Sequence, residues 1–95
     1  MLFSTPDLNI NVTDDNKFKI INEFADNCRL EGEKNTIDGL RLDFEDGWGL
    51  IRASNTTPKL VLRFEGRSEE ILNRIQNDFL NELTRICPDI DINLS

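Results

Sequence analysis

The 95-residue chain contains no histidine and no tyrosine, and it has only two cysteines. Without histidine it has no Ser-His or Cys-His nucleophile pair, no imidazole general base and no imidazole metal ligand. Without tyrosine it has no phenolic acid. Cys28 and Cys87 are too few for a disulfide scaffold, and neither lies in a Cys-x-x-Cys motif. These absences disfavour a small stand-alone enzyme or a metal-stabilised scaffold.

Basic residues are also scarce, at 11 against 18 acidic ones, which gives a net charge of −7. Lys and Arg side chains must neutralise phosphates when a protein binds nucleic acid or an anionic membrane, so we expect no nucleic-acid and no membrane partner. No apolar run approaches the roughly 18–20 residues of a membrane span, and residues 1–7 do not resemble an export signal. The sequence therefore predicts a cytoplasmic protein in which residues 1–95 form a single domain.

Hydrophobic periodicity predicts the element order β-α-β-β-β-α. Alternating apolar residues predict strands over residues 8–12, 40–44, 48–53 and 59–65. Apolar residues at helical spacing predict two helices, of which the first includes Phe18 in its apolar face and the second ends before Pro88. Residues 13–15 and Ser68 provide N-cap oxygens for these helices, and residues 30–36 are predicted to be a loop.

This order predicts an α+β fold with two layers. A mostly antiparallel four-stranded sheet would carry two helices on one face. The other face of the sheet would then be left uncovered, to meet either solvent or another surface.

The segment 52–58, Arg-Ala-Ser-Asn-Thr-Thr-Pro, lies between the last two predicted strands. A planar guanidinium can bind two oxygens of one phosphate, and successive backbone N–H groups in a turn can surround an anion. The segment therefore suits a phosphate site that needs no histidine. The alternative is an ordinary polar hairpin loop, because these residue types also favour turns for conformational reasons.

Charge is unevenly distributed along the chain. Residues 48–67 contain four basic residues and one acidic residue, a net charge of +3, whereas the other 75 residues contain 7 basic and 17 acidic, a net charge of −10. A local excess of positive charge would concentrate an anionic ligand at this segment. Trp48, at its start, is either a platform for a sugar ring or a packing residue.

The motifs Asp38-Gly39-Leu40-Arg41, Gly-Trp-Gly-Leu-Ile-Arg-Ala-Ser-Asn-Thr-Thr-Pro over residues 47–58 and Leu-Arg-Phe-Glu-Gly over residues 62–66 resemble a known family. The chain is similar, over about residues 17–88, to the C-terminal (fourth) domain of the α-D-phosphohexomutases. The resemblance is greatest to the bacterial phosphomannomutase/phosphoglucomutase branch. It implies a TATA-binding-protein-like arrangement of the α+β fold.

The resemblance also implies a function. Members of the family are isomerases of carbohydrate metabolism that act as intramolecular phosphotransferases, converting hexose 1-phosphates and 6-phosphates through a bisphosphate intermediate. The fourth domain holds the phosphate that is not being transferred. By position, its ligands here would be Arg52, Ser54, Asn55 and Thr56, with secondary contacts from Ala53 and Thr57. The expected ligand is mannose or glucose phosphate.

The family's phosphoserine, metal-binding and sugar-binding loops do not occur in this sequence, and two of the three would need a histidine. The resemblance therefore implies the C-terminal phosphate-binding domain of a larger enzyme, with no catalytic residue and no metal ligand of its own. Mg²⁺ and the phosphoserine would belong to other domains of the same chain. The alternative is a stand-alone, non-catalytic module that binds a protein through the uncovered face of its sheet.

Overall fold

The chain forms one antiparallel sheet that carries two helices on the same face. The computed structural model describes residues 2–36, 39–88 and 90. Asp38, part of the first motif above, lies outside the described residues. The elements are β1 (Phe3–Ser4), β2 (Leu8–Asn11), α1 (Lys17–Asn27), β3 (Glu33–Asn35), β4 (Leu40–Phe44), β5 (Gly47–Ala53), β6 (Lys59–Gly66) and α2 (Glu69–Ile86). The predicted α+β class is confirmed.

The strands follow the spatial order β1-β6-β5-β4-β3, and β2 also pairs with β6. Strands β1 and β2 lie along the same edge of β6, with Phe3 opposite Gly66 and Leu8 opposite Leu62. The predicted four strands form the body of the sheet, and β1 and β3 are short additions at its edges.

The prediction of a loop over residues 30–36 was wrong, because Glu33–Asn35 forms the edge strand β3. All three of its residues are exposed, so they carry none of the apolar alternation that reveals a half-buried strand. Pairing with β4 holds the strand in place, and the Lys34 ammonium donates a hydrogen bond to the Ala25 carbonyl at 2.8 Å.

The core lies between the helices and one face of the sheet. Its centre is an aromatic cluster in which the Phe79 ring of α2 stacks on Phe24 of α1, with centroids 5.4 Å apart, and meets Phe64 of β6 edge-on at 5.3 Å. Phe79 reaches the sheet because β5 carries Gly49 beneath it. A Cβ at residue 49 would lie 2.5 Å from Phe79 Cε2.

Helix α1 starts differently from its prediction. Its N-cap is Asn16, which makes no side-chain cap, and no acidic residue lies in its first turn. Residues 13–15 were predicted to provide the capping oxygens. Among these three residues, only Thr13 accepts a hydrogen bond from the Asn16 N–H, through its carbonyl and hydroxyl oxygens. Phe18 was wrongly placed on the apolar face and is 56% exposed, because the buried stripe instead runs through Lys17, Ile21 and Phe24.

Helix α2 begins as predicted. The Ser68 hydroxyl accepts a hydrogen bond from the Ile71 N–H at 3.1 Å, and Glu69 and Glu70 occupy the first turn, where their charge favours the helix N-terminus. In residues 2–36, 39–88 and 90, neither helix has the length and apolar character needed to cross a membrane.

Substitution of Gly49 by alanine is expected to lower the free energy of unfolding by about 1–3 kcal/mol, because the added methyl group overlaps the Phe79 ring. Chemical denaturation measures this cost. In a Phe79→Leu background the same substitution should cost less, since the ring is gone. Equal costs in both backgrounds would show that the contact with Phe79 is not the cause.

Glu82 is predicted to make stability depend on pH. Hydrogen bonds from the Arg85 side chain, at 2.7 Å, and from the Arg29 N–H hold the pKa of the Glu82 carboxyl below its ordinary value of 4.5. A carboxyl with a lowered pKa in the folded state stabilises the protein above its unfolded pKa, and this contribution is lost as the pH falls through the folded value. Glu82→Gln should therefore be less stable than the wild type at pH 7, with a smaller difference below about pH 4.5.

Denaturation curves between pH 7 and pH 3 measure this difference. Asp78→Asn is a suitable control, because Asp78 lies exposed in the middle of the same helix and makes no ion pair with the described residues. A pH-independent deficit for Glu82→Gln would contradict the prediction.

A candidate anion-binding site at the β5–β6 loop

The loop that joins β5 to β6 is closed by its own hydrogen bonds. The Ser54 N–H donates to the Lys59 carbonyl at 2.9 Å, and the Lys59 N–H donates to the Thr57 carbonyl at 2.8 Å. The Thr57 hydroxyl also donates to the Ser54 hydroxyl oxygen, at 2.8 Å. The Pro58 carbonyl accepts from the Val12 N–H at 3.0 Å, which joins the loop to the end of β2. The segment is thus an ordered turn.

Several loop carbonyls accept hydrogen bonds, whereas the N–H groups of residues 55–57 differ from them in having no partner among the described residues. Within the part of the chain that the structure describes, none of these three N–H groups has a hydrogen-bond acceptor. Asn55, Thr56 and Thr57 are all exposed. The turn therefore offers three consecutive backbone donors at the surface, as an anion-binding turn requires.

Lys17, the first residue of α1, lies against the loop carbonyls. Its ammonium nitrogen is 2.7 Å from the Ser54 carbonyl oxygen, 3.3 Å from the Thr57 carbonyl oxygen and 3.1 Å from the Asp14 carboxylate. Its side chain is only 7% exposed. The charged group that supports the loop thus comes from 37 residues earlier in the chain.

Arg52 lies on the other side of the loop from Lys17. It alternates with Ile51 and Ala53, which pack on the core, so its side chain belongs to the sheet face that the helices do not cover. Arg52 is half-buried, and no described residue pairs with its guanidinium. This side chain is available to bind an anion in two-point fashion.

Gly39 allows the chain to pass closely beside Arg52. Its φ of +84° lies in the left-handed region, and a Cβ there would lie 2.7 Å from Arg52 Cβ. Any other residue at this position would be strained and would displace the end of β5.

The strand register shows which of the predicted cations come together. Arg52 lies directly opposite Val61, so Lys59 and Arg63 are its diagonal neighbours on the uncovered face. Neither of them forms an ion pair with a described residue. Arg67 instead lies at the far end of β6, where its N–H donates to the Asp46 carbonyl. The positive segment of the sequence is therefore split: Arg52 and Lys59 lie at the loop end, Arg63 lies farther along the uncovered face, and Arg67 lies at the opposite end of β6.

Trp48 is engaged within the sheet. The Arg41 guanidinium lies 4.5 Å from the centre of its ring, and its indole N–H donates to the Glu65 carboxylate at 2.9 Å. These contacts give Trp48 a packing role, which is one of the two roles predicted for it. Of the acidic residues near the β4–β5 turn, Asp43 pairs with Arg41 and Asp46 pairs with Arg74.

The described residues contain no group of three or more side chains that could hold a metal ion.

Sequence reasoning missed Lys17 as part of the site. The available signal was a lysine in phase with Ile21 and Phe24, at the start of an otherwise apolar helical stripe. A charged residue is rarely buried without polar partners. A lysine on the buried stripe of the helix therefore predicts that the segment packed against it provides hydrogen-bond acceptors.

Comparison with known proteins supports a specific family. A family model described as phosphoglucomutase/phosphomannomutase, C-terminal domain, matches residues 8–82. The phosphomannomutase/phosphoglucomutase of Pseudomonas syringae pv. tomato is 51% identical over 90 residues, which cover 94% of this chain and 19% of that protein. The phosphoglucomutase of Neisseria meningitidis serogroup B is 54% identical over 79 residues, which cover 80% of this chain and 17% of that protein.

A solved structure has the same fold. The crystal structure of a phosphoglucomutase/phosphomannomutase family protein from Burkholderia thailandensis matches with a TM-score of 0.84 and 42% identity, covering 99% of this chain and 19% of that one. The chain spans about a fifth of the length of the relatives it matches.

Proposed function

We propose that this chain, which belongs to the phosphoglucomutase/phosphomannomutase family and matches its C-terminal domain, binds the phosphate group of a hexose phosphate at its β5–β6 loop. The observation that carries the proposal is the set of three consecutive N–H groups, at residues 55–57, without acceptors among the described residues. They lie on an ordered turn beside the guanidinium of Arg52, with which no described residue pairs.

Each proposed ligand has a distinct role. The Arg52 guanidinium would bind two phosphate oxygens, and the Asn55 and Thr56 side chains would add donors beside the backbone N–H groups. Ser54 accepts its hydrogen bond from Thr57, so its own hydroxyl proton is left to donate to the ligand. The Thr57 side chain thus acts on the ligand through Ser54, while its backbone N–H is one of the three exposed donors. The Ala53 side chain packs on the core, so only its backbone could contribute.

We further propose that the chain is one domain of a longer mutase that interconverts hexose 1-phosphates and 6-phosphates, with mannose or glucose phosphate as substrate. The names of the relatives and their roughly fivefold greater length support this. In such an enzyme the loop would hold the phosphate that is not transferred. The phosphoryl transfer and its Mg²⁺ would lie in the other domains of the same chain. A cytoplasmic location stays a prediction from the sequence.

The alternative, a protein-binding module that uses the uncovered sheet face, makes a different prediction. A partner on that face would perturb Trp48, Leu50 and Arg63 rather than the loop. Reading the coding sequence upstream of residue 1 also separates the two, since the domain proposal requires an open reading frame that continues far upstream.

Substitution of Arg52 by alanine is expected to weaken the binding of glucose 6-phosphate at least about tenfold, because the loss of a charge-assisted two-point contact costs roughly 1.5–3 kcal/mol. An NMR titration that follows the amide signals of residues 54–57 measures the affinity. Arg67→Ala is the matched control, since it removes the same charge at the far end of β6. If saturating ligand shifted only signals remote from the loop in the wild-type chain, the site assignment would be wrong.

The 95-residue chain alone is expected not to convert glucose 1-phosphate into glucose 6-phosphate. It has no histidine, and its described residues include no metal-ligand cluster. Phosphorus NMR measures any conversion during a prolonged incubation of glucose 1-phosphate with the chain, glucose 1,6-bisphosphate and Mg²⁺. Turnover above that of a buffer blank would contradict the non-catalytic assignment.

A further inference from the structure

We propose that Lys17 is the positioning residue of the anion-binding turn, orienting its backbone donors from the helix side without touching the ligand. The proposal rests on the function proposed above, since it adds a residue to the same site. It concerns a side chain that lies outside the segment 52–58 and that enters the site only through the packing of α1.

The ammonium group of Lys17 has one acceptor for each of its three N–H bonds. Two acceptors are the carbonyl oxygens of Ser54 and Thr57, and the third is the carboxylate of Asp14. A buried ammonium costs free energy unless its donors are satisfied, and here all three are. The two carbonyls flank the exposed part of the turn, so Lys17 holds both of its ends.

The bond to the Ser54 carbonyl fixes a neighbouring donor directly. The Ser54–Asn55 peptide is trans, because the described residues contain no cis peptide bond. In a planar trans peptide the C=O and N–H bonds point in opposite directions. Since the Ser54 oxygen points to Lys17, the Asn55 N–H must point away from it, where no described residue accepts its proton. Lys17 therefore orients the first of the three N–H groups.

Charge alone does not explain this arrangement. Asp14 lies 3.1 Å from the ammonium and is 72% exposed, so the pair presents little net charge to a ligand above the loop. Lys17 therefore contributes to the site mainly by fixing the orientation of the turn. Without Lys17, the carbonyls of Ser54 and Thr57 would lose a charged partner, and the turn could rotate them toward water and its N–H groups away from the ligand.

The test compares Lys17→Met with Lys19→Met in the 95-residue chain. Methionine has a side chain of similar length but no donor. Lys19 lies on the same helix with a 70% exposed side chain, so Lys19→Met removes the same charge without touching the loop. Three measurements are made: amide exchange and nitrogen relaxation of residues 55–57 without ligand, the dissociation constant for inorganic phosphate at 0.1 and 0.5 M salt, and the thermal unfolding midpoint.

We expect Lys17→Met to accelerate motion at residues 55–57 and to weaken phosphate binding at least about fivefold at both salt concentrations, the loss that removal of charged hydrogen bonds produces. Lys19→Met should leave both properties unchanged. Asp14→Asn, which keeps the ammonium on the carbonyls, should preserve the order of the turn. If Lys17→Met only lowered the unfolding midpoint, with unaltered turn dynamics and phosphate affinity, the positioning role would be overturned.

The two proposals fail in different ways. If the wild-type chain did not bind phosphate at the loop, the proposed function would fall, while the ligand-free dynamics would still decide whether Lys17 orders the turn. Should Lys17→Met not fold, Lys17→Gln takes its place, since its amide can donate to one carbonyl but carries no charge. It should then show an intermediate loss of turn order, and wild-type behaviour would refute the role.

Discussion

The packing of Phe79 against the backbone of β5 at Gly49 is the contact on which the positions of both helices on the sheet depend. It seats α2 directly on the centre of the sheet, and the same ring meets Phe24 of α1 and Phe64 of β6. One side chain thereby joins both helices to the central strand pair. Because protein interiors are close-packed, a shift of α2 at this point would have to move α1 as well.

That coupling reaches the candidate site through α1. Phe24 and Ile21 bury the middle of the helix, and Lys17 lies on the same stripe at its first turn, one and two helical turns away. A helix that is fixed at Phe24 is therefore fixed at Lys17, whose ammonium holds the loop carbonyls. The turn is thus stabilised from two directions, by the β5–β6 ladder that ends in it and by the helix packed beneath it.

Much of this could be predicted from local pattern, and the exceptions have physical reasons. The strands of the sheet body and the Ser68 cap were predictable because alternation and capping are encoded in neighbouring residues. The edge strand Glu33–Asn35 was not, because its backbone pairing needs no particular side chain. The family assignment from the motifs over residues 38–41, 47–58 and 62–66 is confirmed by the family match and the curated relatives. Lys17 could not be assigned to the loop, since its partners are backbone carbonyls, which every residue has, 37 and 40 positions away.

The position of the cations explains how a chain with a net charge of −7 can offer a site for an anion. At physiological ionic strength charges are screened over about 8 Å, so a bound phosphate responds to the groups around the loop and hardly to the distant acids. Around the loop the register places Arg52 diagonal to Lys59 and Arg63, and no described acid pairs with any of the three. Two acids at the β4–β5 turn, Asp43 and Asp46, are by contrast paired with Arg41 and Arg74 toward the other end of β5. Net charge therefore says little about this site, because the fold brings together cations that no described acid pairs with.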